Sequence, residues 1–209
     1  MVKVISFDLD GTLAEENFDE LIWFEEIPKL FAEKYGIPVE EAKEEVFARY
    51  DSEKESYRWT DISYWFENLG LEDHKKLLFD MKHHIRMFSD AVPVLKELSK
   101  KYKLIIITGS EKNFLDLKLE VDGLKKYFSH VFSMPNDFSK LRKEESVYRE
   151  ILKKLDLTPG DMVHIGDSYE FDYLVPKRVG IKAFFLDRKK EKIGTDIVHD
   201  LKGFKDGIG

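Results

Sequence analysis

Val2-Lys3-Val4-Ile5-Ser6-Phe7-Asp8-Leu9-Asp10-Gly11-Thr12 decides the fold. Its first half is apolar and β-branched, the pattern of a short buried strand. The strand stops at two carboxylates one residue apart. Carboxylates resist leaving water by several kcal/mol unless they are paired or bound to a metal. Gly11 permits a tight turn, so the backbone can bring both acids into one crevice. Open α/β sheets bind ligands just beyond the carboxyl ends of their strands, which places the chemistry here. The alternative is a core strand followed by an Asx-type turn, and the rest of the chain argues against it.

Helical spacing replaces the strand pattern after Thr12. Phe18 to Tyr35, ended by Gly36 and Pro38, reads as one amphipathic helix. Val39–Tyr50, Trp59–Leu69 with Thr60 or Asp61 as cap, and Asp73–Met87 read as three more. Residues 15–88 are therefore expected to form a helical insert. Further on come a helix over Ala91–Lys101 with Pro93 in its first turn, a strand at Lys103–Thr108, a helix at Glu111–Val121 and a strand at Val131–Ser133. A helix at Glu144–Leu155, a strand at Met162–Gly166, a helix at Tyr169–Val179 and a strand at Ala183–Leu186 come next, with an edge strand at Ile197–His199. Strands alternating with helices predict a Rossmann-like α/β core, a parallel sheet with helices on both faces, built from residues 1–14 and 89–209.

The 209 residues suffice for one core plus a smaller insert, and 43% hydrophobic content indicates a globular chain. There is no cysteine, which excludes disulfides, thiolate metal sites and a cysteine nucleophile. The net charge of −7, with no basic stripe, argues against nucleic acid as partner. Apolar runs fall short of a membrane span and no signal peptide is visible, so a cytoplasmic protein without a membrane partner is expected. Charged residues make up 36%, glutamine is absent and asparagine is scarce, a thermophile-like composition.

The residues just past each strand end matter most. The first strand gives Asp8 and Asp10, the second Thr108-Gly109-Ser110, the fourth Gly166-Asp167-Ser168 with Asp172 beyond. Lys140, Arg142 and Lys143 precede the helix before the fourth strand. In a parallel sheet these groups share one edge. Two like charges 4 Å apart repel by about 4 kcal/mol at an effective dielectric near 20. Either some acids stay protonated or a cation sits among them. Carboxylate oxygens without His or Cys favour Mg²⁺, which keeps waters and takes a phosphate oxygen readily. Thr108, Gly109 and Ser110 offer hydroxyls and an approachable backbone, a phosphate cradle. A lysine at a helix N-terminus opposes the dipole unless it faces an anion.

These motifs resemble the haloacid dehalogenase-like (HAD) hydrolase superfamily, in particular its phosphatases with a helical cap of the first class. Asp8-Leu9-Asp10-Gly11-Thr12, Thr108 after Ile105-Ile106-Ile107, a lysine before Val147-Tyr148, and Gly166-Asp167-Ser168 with Asp172 carry the resemblance. It implies that Asp8 is the nucleophile, becoming an aspartyl-phosphate, and that Asp10 is the acid and base. It implies that Thr108 holds phosphoryl oxygens and that the lysine neutralises charge. Mg²⁺ would be bound by Asp8, the backbone carbonyl of Asp10 and Asp167, with Asp172 as ligand or support. The family's lysine is usually followed by proline and an acid; here the text is Lys140-Leu141-Arg142-Lys143-Glu144-Glu145. Lys143, at the helix start, is preferred over Lys140.

The insert sits where such relatives carry a lid, with hinges near 13–17 and 87–91. Trp23, Phe24, Trp59, Tyr64, Trp65, His83, His84 and Arg86 are candidates to face the crevice, although core packing or plain surface is the ordinary role of each. His164, inside a strand, is expected to be a satisfied core histidine. The leading reading is a Mg²⁺-dependent phosphatase of a small phosphorylated metabolite, a monomer or small homo-oligomer. A 2-haloacid dehalogenase needs neither metal nor a second acid, so Asp10 argues against it. A phosphomutase of the β-phosphoglucomutase type uses the same acids, and a non-catalytic binding module would not need them.

Overall fold

The computed structural model describes residues 2–208. The expected parallel α/β sheet forms, with six strands in the order β3-β2-β1-β4-β5-β6. They are β1 (Val4–Phe7), β2 (Lys103–Thr108), β3 (Phe128–Ser133), β4 (Met162–Gly166), β5 (Lys182–Leu186) and β6 (Ile197–Val198). After β1 the chain builds β2 and β3 on one side, then β4 to β6 on the other. The switch point therefore lies between β1 and β4, where a parallel sheet opens a crevice.

Between β1 and the next strand runs a long helical stretch. It contains α1 (Asn17–Leu21), a π-helical turn (Ile22–Glu26), α2 (Ile27–Tyr35), α3 (Val39–Glu53), α4 (Ile62–Asn68) and α5 (His74–Met81). The single helix expected over 18–35 is continuous but widened by that π turn. The helix expected from Trp59 begins at Ile62, because the Asp61 carboxylate caps it by accepting from the Ser63 and Tyr64 N–H groups at 2.9 and 3.2 Å. The helix expected to reach Met87 stops earlier, since the chain straightens to return to the sheet. Ala14 and Met87 form an antiparallel bridge, Glu15 N–H donates to the Arg86 carbonyl and Phe88 N–H to that of Leu13. The two connections thus run as a short paired ribbon.

The remaining helices are α6 (Ala91–Leu98), α7 (Lys112–Glu120), α8 (Met134–Phe138), α9 (Glu145–Lys154), α10 (Val175–Val179) and α11 (Leu201–Ile208). Alternation along the strands gives the sheet two apolar faces. Ile5, Phe7, Leu104 and Ile106 pack with α6, α7 and α11, while Val4, Ile105 and Ile107 pack with α9 and α10. The sequence reading omits α8 and α11. Gly203 and Gly207 weaken α11 by about 1 kcal/mol each on intrinsic propensity. Burial of Phe204 against Phe7 and Phe184, at 5.9 and 5.1 Å, offsets them. A third apolar cluster lies among α1 to α5, and Phe114 of α7 enters it. No helix among the described residues is long and apolar enough to cross a membrane.

Candidate active site

Asp8 follows β1 and Asp167 follows the neighbouring β4, so the switch point delivers both. Asp172 reaches the same place from a π-helical turn (Tyr169–Leu174). One carboxylate oxygen from each of Asp8, Asp167 and Asp172 lies within 4.8 Å of the others. Glycines make this crowding possible. A Cβ on Gly11, whose φ is +71°, would stand 2.1 Å from Asp167 Oδ2, and one on Gly166 would stand 2.4 Å from the Asp172 carboxyl carbon.

Lys143 is buried, with Nζ 2.5 Å from Asp8 Oδ1 and 2.6 Å from Asp172 Oδ1. Lys140 instead pairs with Glu144 on the surface. Between the two candidates, the structure places Lys143 in the site. Desolvation works against Asp172, yet Lys143 and His164 outweigh it and hold its carboxyl at about 2. Burial pushes Asp8 well above the ordinary range despite Lys143, with Asp172 and Asp167 adding to it. Burial, then the charge of Asp172, lifts Asp167 to about 7. Ionised together, the three acids would carry more negative charge than one lysine balances. Its donors are all oxygen, so the site fits a hard divalent cation such as Mg²⁺.

Across from the trio, Thr108 is buried at the end of β2, and its Oγ1 accepts from the Ser110 N–H at 3.0 Å. The Ser110 hydroxyl is buried without a partner and lines the same cavity. A ligand oxygen would satisfy it. The loop is braced from below: Ser133 Oγ donates to the Ser110 carbonyl, and Asn136 Oδ1, on α8, accepts from the Lys112 N–H. That brace depends on a helix the sequence reading omits.

His164 is fully buried and satisfied, as expected of a core histidine, but one of its partners is Asp172. Its Nε2 lies 2.9 Å from Asp172 Oδ1, and Nδ1 lies 2.7 Å from Ser6 Oγ. Burial keeps the ring neutral by lowering its pKa. The tautomer that fits protonates Nε2, which donates to Asp172, while Ser6 donates to Nδ1.

Asp10 stands apart from the trio. Its carboxylate lines the cavity and holds Lys118 on α7, a contact shared with Asp19 of α1. Lys118 is the residue sequence reasoning missed. Its signal was present: Phe114, Leu115, Lys118 and Leu119 share one buried helical stripe, where a lysine is out of place.

The cavity has a volume of about 500 Å³. Trp23, Phe24 and Trp59 line it together with Glu16, Glu20, Arg142 and Phe171. The other aromatic and basic candidates lie elsewhere. Trp65 is core, with Nε1 donating to the Trp59 carbonyl, and Tyr64 donates to Glu53. His83 and His84 pack ring against ring at 4.1 Å, and Arg86 donates to the His83 carbonyl.

Fold and site together define an α/β protein with an acidic centre at the strand switch point and a helical stretch that lines the cavity beside it. The chain belongs to the haloacid dehalogenase-like hydrolase family, whose sequence model matches residues 5–186. It is 29% identical over 146 residues to the GMP/IMP nucleotidase YrfG of Escherichia coli, covering 67% of this chain and 65% of that protein. The match thus spans just under two thirds of that relative's length. It is 26% identical to the rat N-acylneuraminate-9-phosphatase, over 87% of this chain and 81% of the relative. A HAD phosphatase from Thermococcus onnurineus superposes with a TM-score of 0.85 at 27% identity, covering 100% of this chain and 98% of that one.

Proposed function

We propose that the protein is a Mg²⁺-dependent phosphatase that hydrolyses a small phosphate monoester through an aspartyl-phosphate on Asp8. The observation that carries this reading is the convergence of Asp8, Asp167 and Lys143 opposite the Thr108–Ser110 loop. An Asp8 oxygen attacks phosphorus, and the bond from phosphorus to the ester oxygen breaks. Asp10 gives its proton to that departing oxygen. Water then attacks the phosphorus, Asp10 takes the water's proton, and phosphate leaves with Asp8 regenerated. Lys143, Thr108, Ser110 and the Gly109 backbone bind the phosphoryl oxygens. Asp8, the Asp10 carbonyl and Asp167 would hold Mg²⁺, which would supply charge neutralisation between the acids and the phosphoryl group. We assign Asp172 to support: Lys143 and His164 occupy its Oδ1, and the Ser168 N–H occupies Oδ2.

Residues 15–88 act in this reading as the cap, and its wall selects the leaving group. Trp23, Phe24 and Trp59 supply flat apolar surface, while Glu16 and Glu20 repel a second anionic group. An uncharged, flat leaving group suits this wall. The nucleoside product of the E. coli nucleotidase, by that enzyme's name, is of this kind.

The test is phosphate release from p-nitrophenyl phosphate with and without Mg²⁺, followed by purine nucleoside monophosphates against phosphorylated carboxylic acids. Metal-dependent release, with nucleotides ahead, is expected. Metal-independent halide release from a 2-haloacid would reverse the assignment to a dehalogenase.

A further inference from the structure

Lys118 has no exposed side-chain surface, yet it carries a charge. Burying an ammonium is unfavourable by several kcal/mol unless partners compensate. Two do. Its Nζ holds Asp10 Oδ1 and lies 2.6 Å from Asp19 Oδ1. The first is aligned as a hydrogen bond; the second is close but poorly aligned, so it acts as an ionic contact. The partners come from different packing units. Asp10 is in the loop after β1, whereas Asp19 lies in α1, whose Phe18 belongs to the helical stretch's own apolar cluster. One turn before Lys118 on α7, Phe114 packs edge-on against Phe18 at 5.9 Å and stacks on Trp23 at 5.4 Å. The lysine therefore sits at the seam where the helical stretch meets the sheet domain.

We infer that Lys118 is a positioning residue that aims the Asp10 carboxylate at the leaving-group oxygen, and that Asp19 makes this aim depend on α1 being docked against α7. The inference rests on the phosphatase reading above. An aspartate has few rotamers, and a 1 Å misplacement of a reacting group costs about 10²-fold in rate. Asp10 is 21% exposed, so without Lys118 its carboxylate would be drawn to water instead of to the cavity. Asp19 supplies the second negative charge that keeps an ammonium tolerable at this seam. When α1 leaves, Lys118 loses that partner while Phe114, one turn before it, loses Phe18, and the hold on Asp10 is no longer fixed. Leaving-group protonation is thereby tied to closure over substrate, which limits idle chemistry in an open site. Lys143, Thr108, Asp8 and Asp167 make no hydrogen bond or ion pair with Lys118, so its removal leaves the nucleophile and phosphate cradle in place.

Two esters separate this role from a merely structural one. The phenolate of p-nitrophenyl phosphate departs without a proton, whereas a primary alkyl phosphate such as glycerol 3-phosphate needs one. Asp19→Asn and Lys118→Met are measured on both, alone and combined with Asp10→Asn, with thermal unfolding as the check on folding. The expected result is a kcat/KM loss on the alkyl ester about 10²-fold larger than on the aryl ester, and little further loss when either is added to Asp10→Asn. The ratio kcat/KM covers the steps up to departure of the alcohol and leaves out the later hydrolysis, in which Asp10 is the base for both esters. Asp19 is partly exposed, so Asp19→Asn keeps the test valid where Lys118→Met unfolds. Equal losses on both esters, or losses that multiply with Asp10→Asn, overturn the inference while leaving the phosphatase reading intact. A wild type that turns over neither ester with Mg²⁺ overturns both.

Discussion

Lys143 and Lys118 are built alike, and they do different work. Each is a buried lysine clasped by two carboxylates. The partners of Lys143 follow adjacent strands of one sheet, and their side chains are 8% and 1% exposed. The partners of Lys118 come from a sheet loop and from a separate helical cluster, at 21% and 26%. Solvent screens the second group far more than the first. The sheet, with α9 and the π-helical turn packed on it, thus holds one cluster whatever α1 to α5 do, while the other needs the two apolar bodies packed together. The same three-residue device serves permanence in one place and contingency in the other.

The sharpest way to break this comparison is at the fixed cluster. Asp8→Asn removes the nucleophile, and turnover should fall to background with the far-UV circular dichroism unchanged. Measurable Mg²⁺-dependent turnover by this variant would end the covalent reading and the special status of the cluster. Lys143→Met comes next. Losing one charge-stabilising donor should lower kcat by about 10²–10³-fold, equally on aryl and alkyl esters, because the loss is at the phosphoryl group. An ester-dependent loss would make Lys143 resemble Lys118, and the distinction would fail.

Removal of the metal probes the same cluster without turnover. Burial and mutual repulsion raise the carboxyls of Asp8 and Asp167. A group whose folded pKa is raised destabilises the fold once pH exceeds its unfolded value, so the bare site weakens the protein near neutral pH. Mg²⁺ bound among them would relieve that repulsion. At a hundredfold excess over its dissociation constant it should add about 2.7 kcal/mol, read as a rise in Tm that EDTA reverses. Asp167→Asn should abolish most of the rise and Asp19→Asn none of it.

The fixed cluster was legible in the sequence because its residues sit beside strand ends, and strand patterning is a strong local signal. Val2–Thr12 and Met162–Asp167 read correctly for that reason. Lys143 could be preferred over Lys140 from its place at the helix start, though only the fold shows Nζ between two acids. The contingent cluster was not legible. Asp19 looks like any acid in a first helical turn, and nothing local tells that α1 will lie against α7. Lys118 was detectable as a polar misfit in an apolar stripe, but its partners lie 108 and 99 positions away in the chain. Helix α11 was hidden by two glycines whose weakness only the packing of Phe204 offsets. The aromatic wall was half legible. Trp23, Phe24 and Trp59 reach the cavity, while Trp65 looked equivalent and is core.

A third lysine–aspartate pair calibrates the other two and carries the smallest effect. Asp161 caps the turn before β4, accepting from the Thr158 N–H at 2.9 Å and from its hydroxyl at 2.6 Å, and Lys3 reaches it at 2.9 Å from an exposed position. The hydrogen bonds from Thr158 and Lys3 hold its carboxyl below the ordinary 3.8. Because the folded pKa is depressed, its contribution is present above the unfolded value and disappears as pH falls through the folded one. Asp161→Asn keeps an acceptor oxygen and removes the charge. Its Tm should lie slightly below the wild type at about pH 7, with the gap narrowing once pH falls below the ordinary carboxylate range and closing only below the depressed folded value, where both carry a neutral group. Added salt should narrow the neutral-pH gap modestly through Lys3, since an ion pair with one exposed partner weakens as ionic strength rises. A gap that survives in acid would assign the effect to cap geometry instead of charge. It would also show that this capping aspartate answers to different physics from the two lysine-centred clusters, in which charge compensation decides.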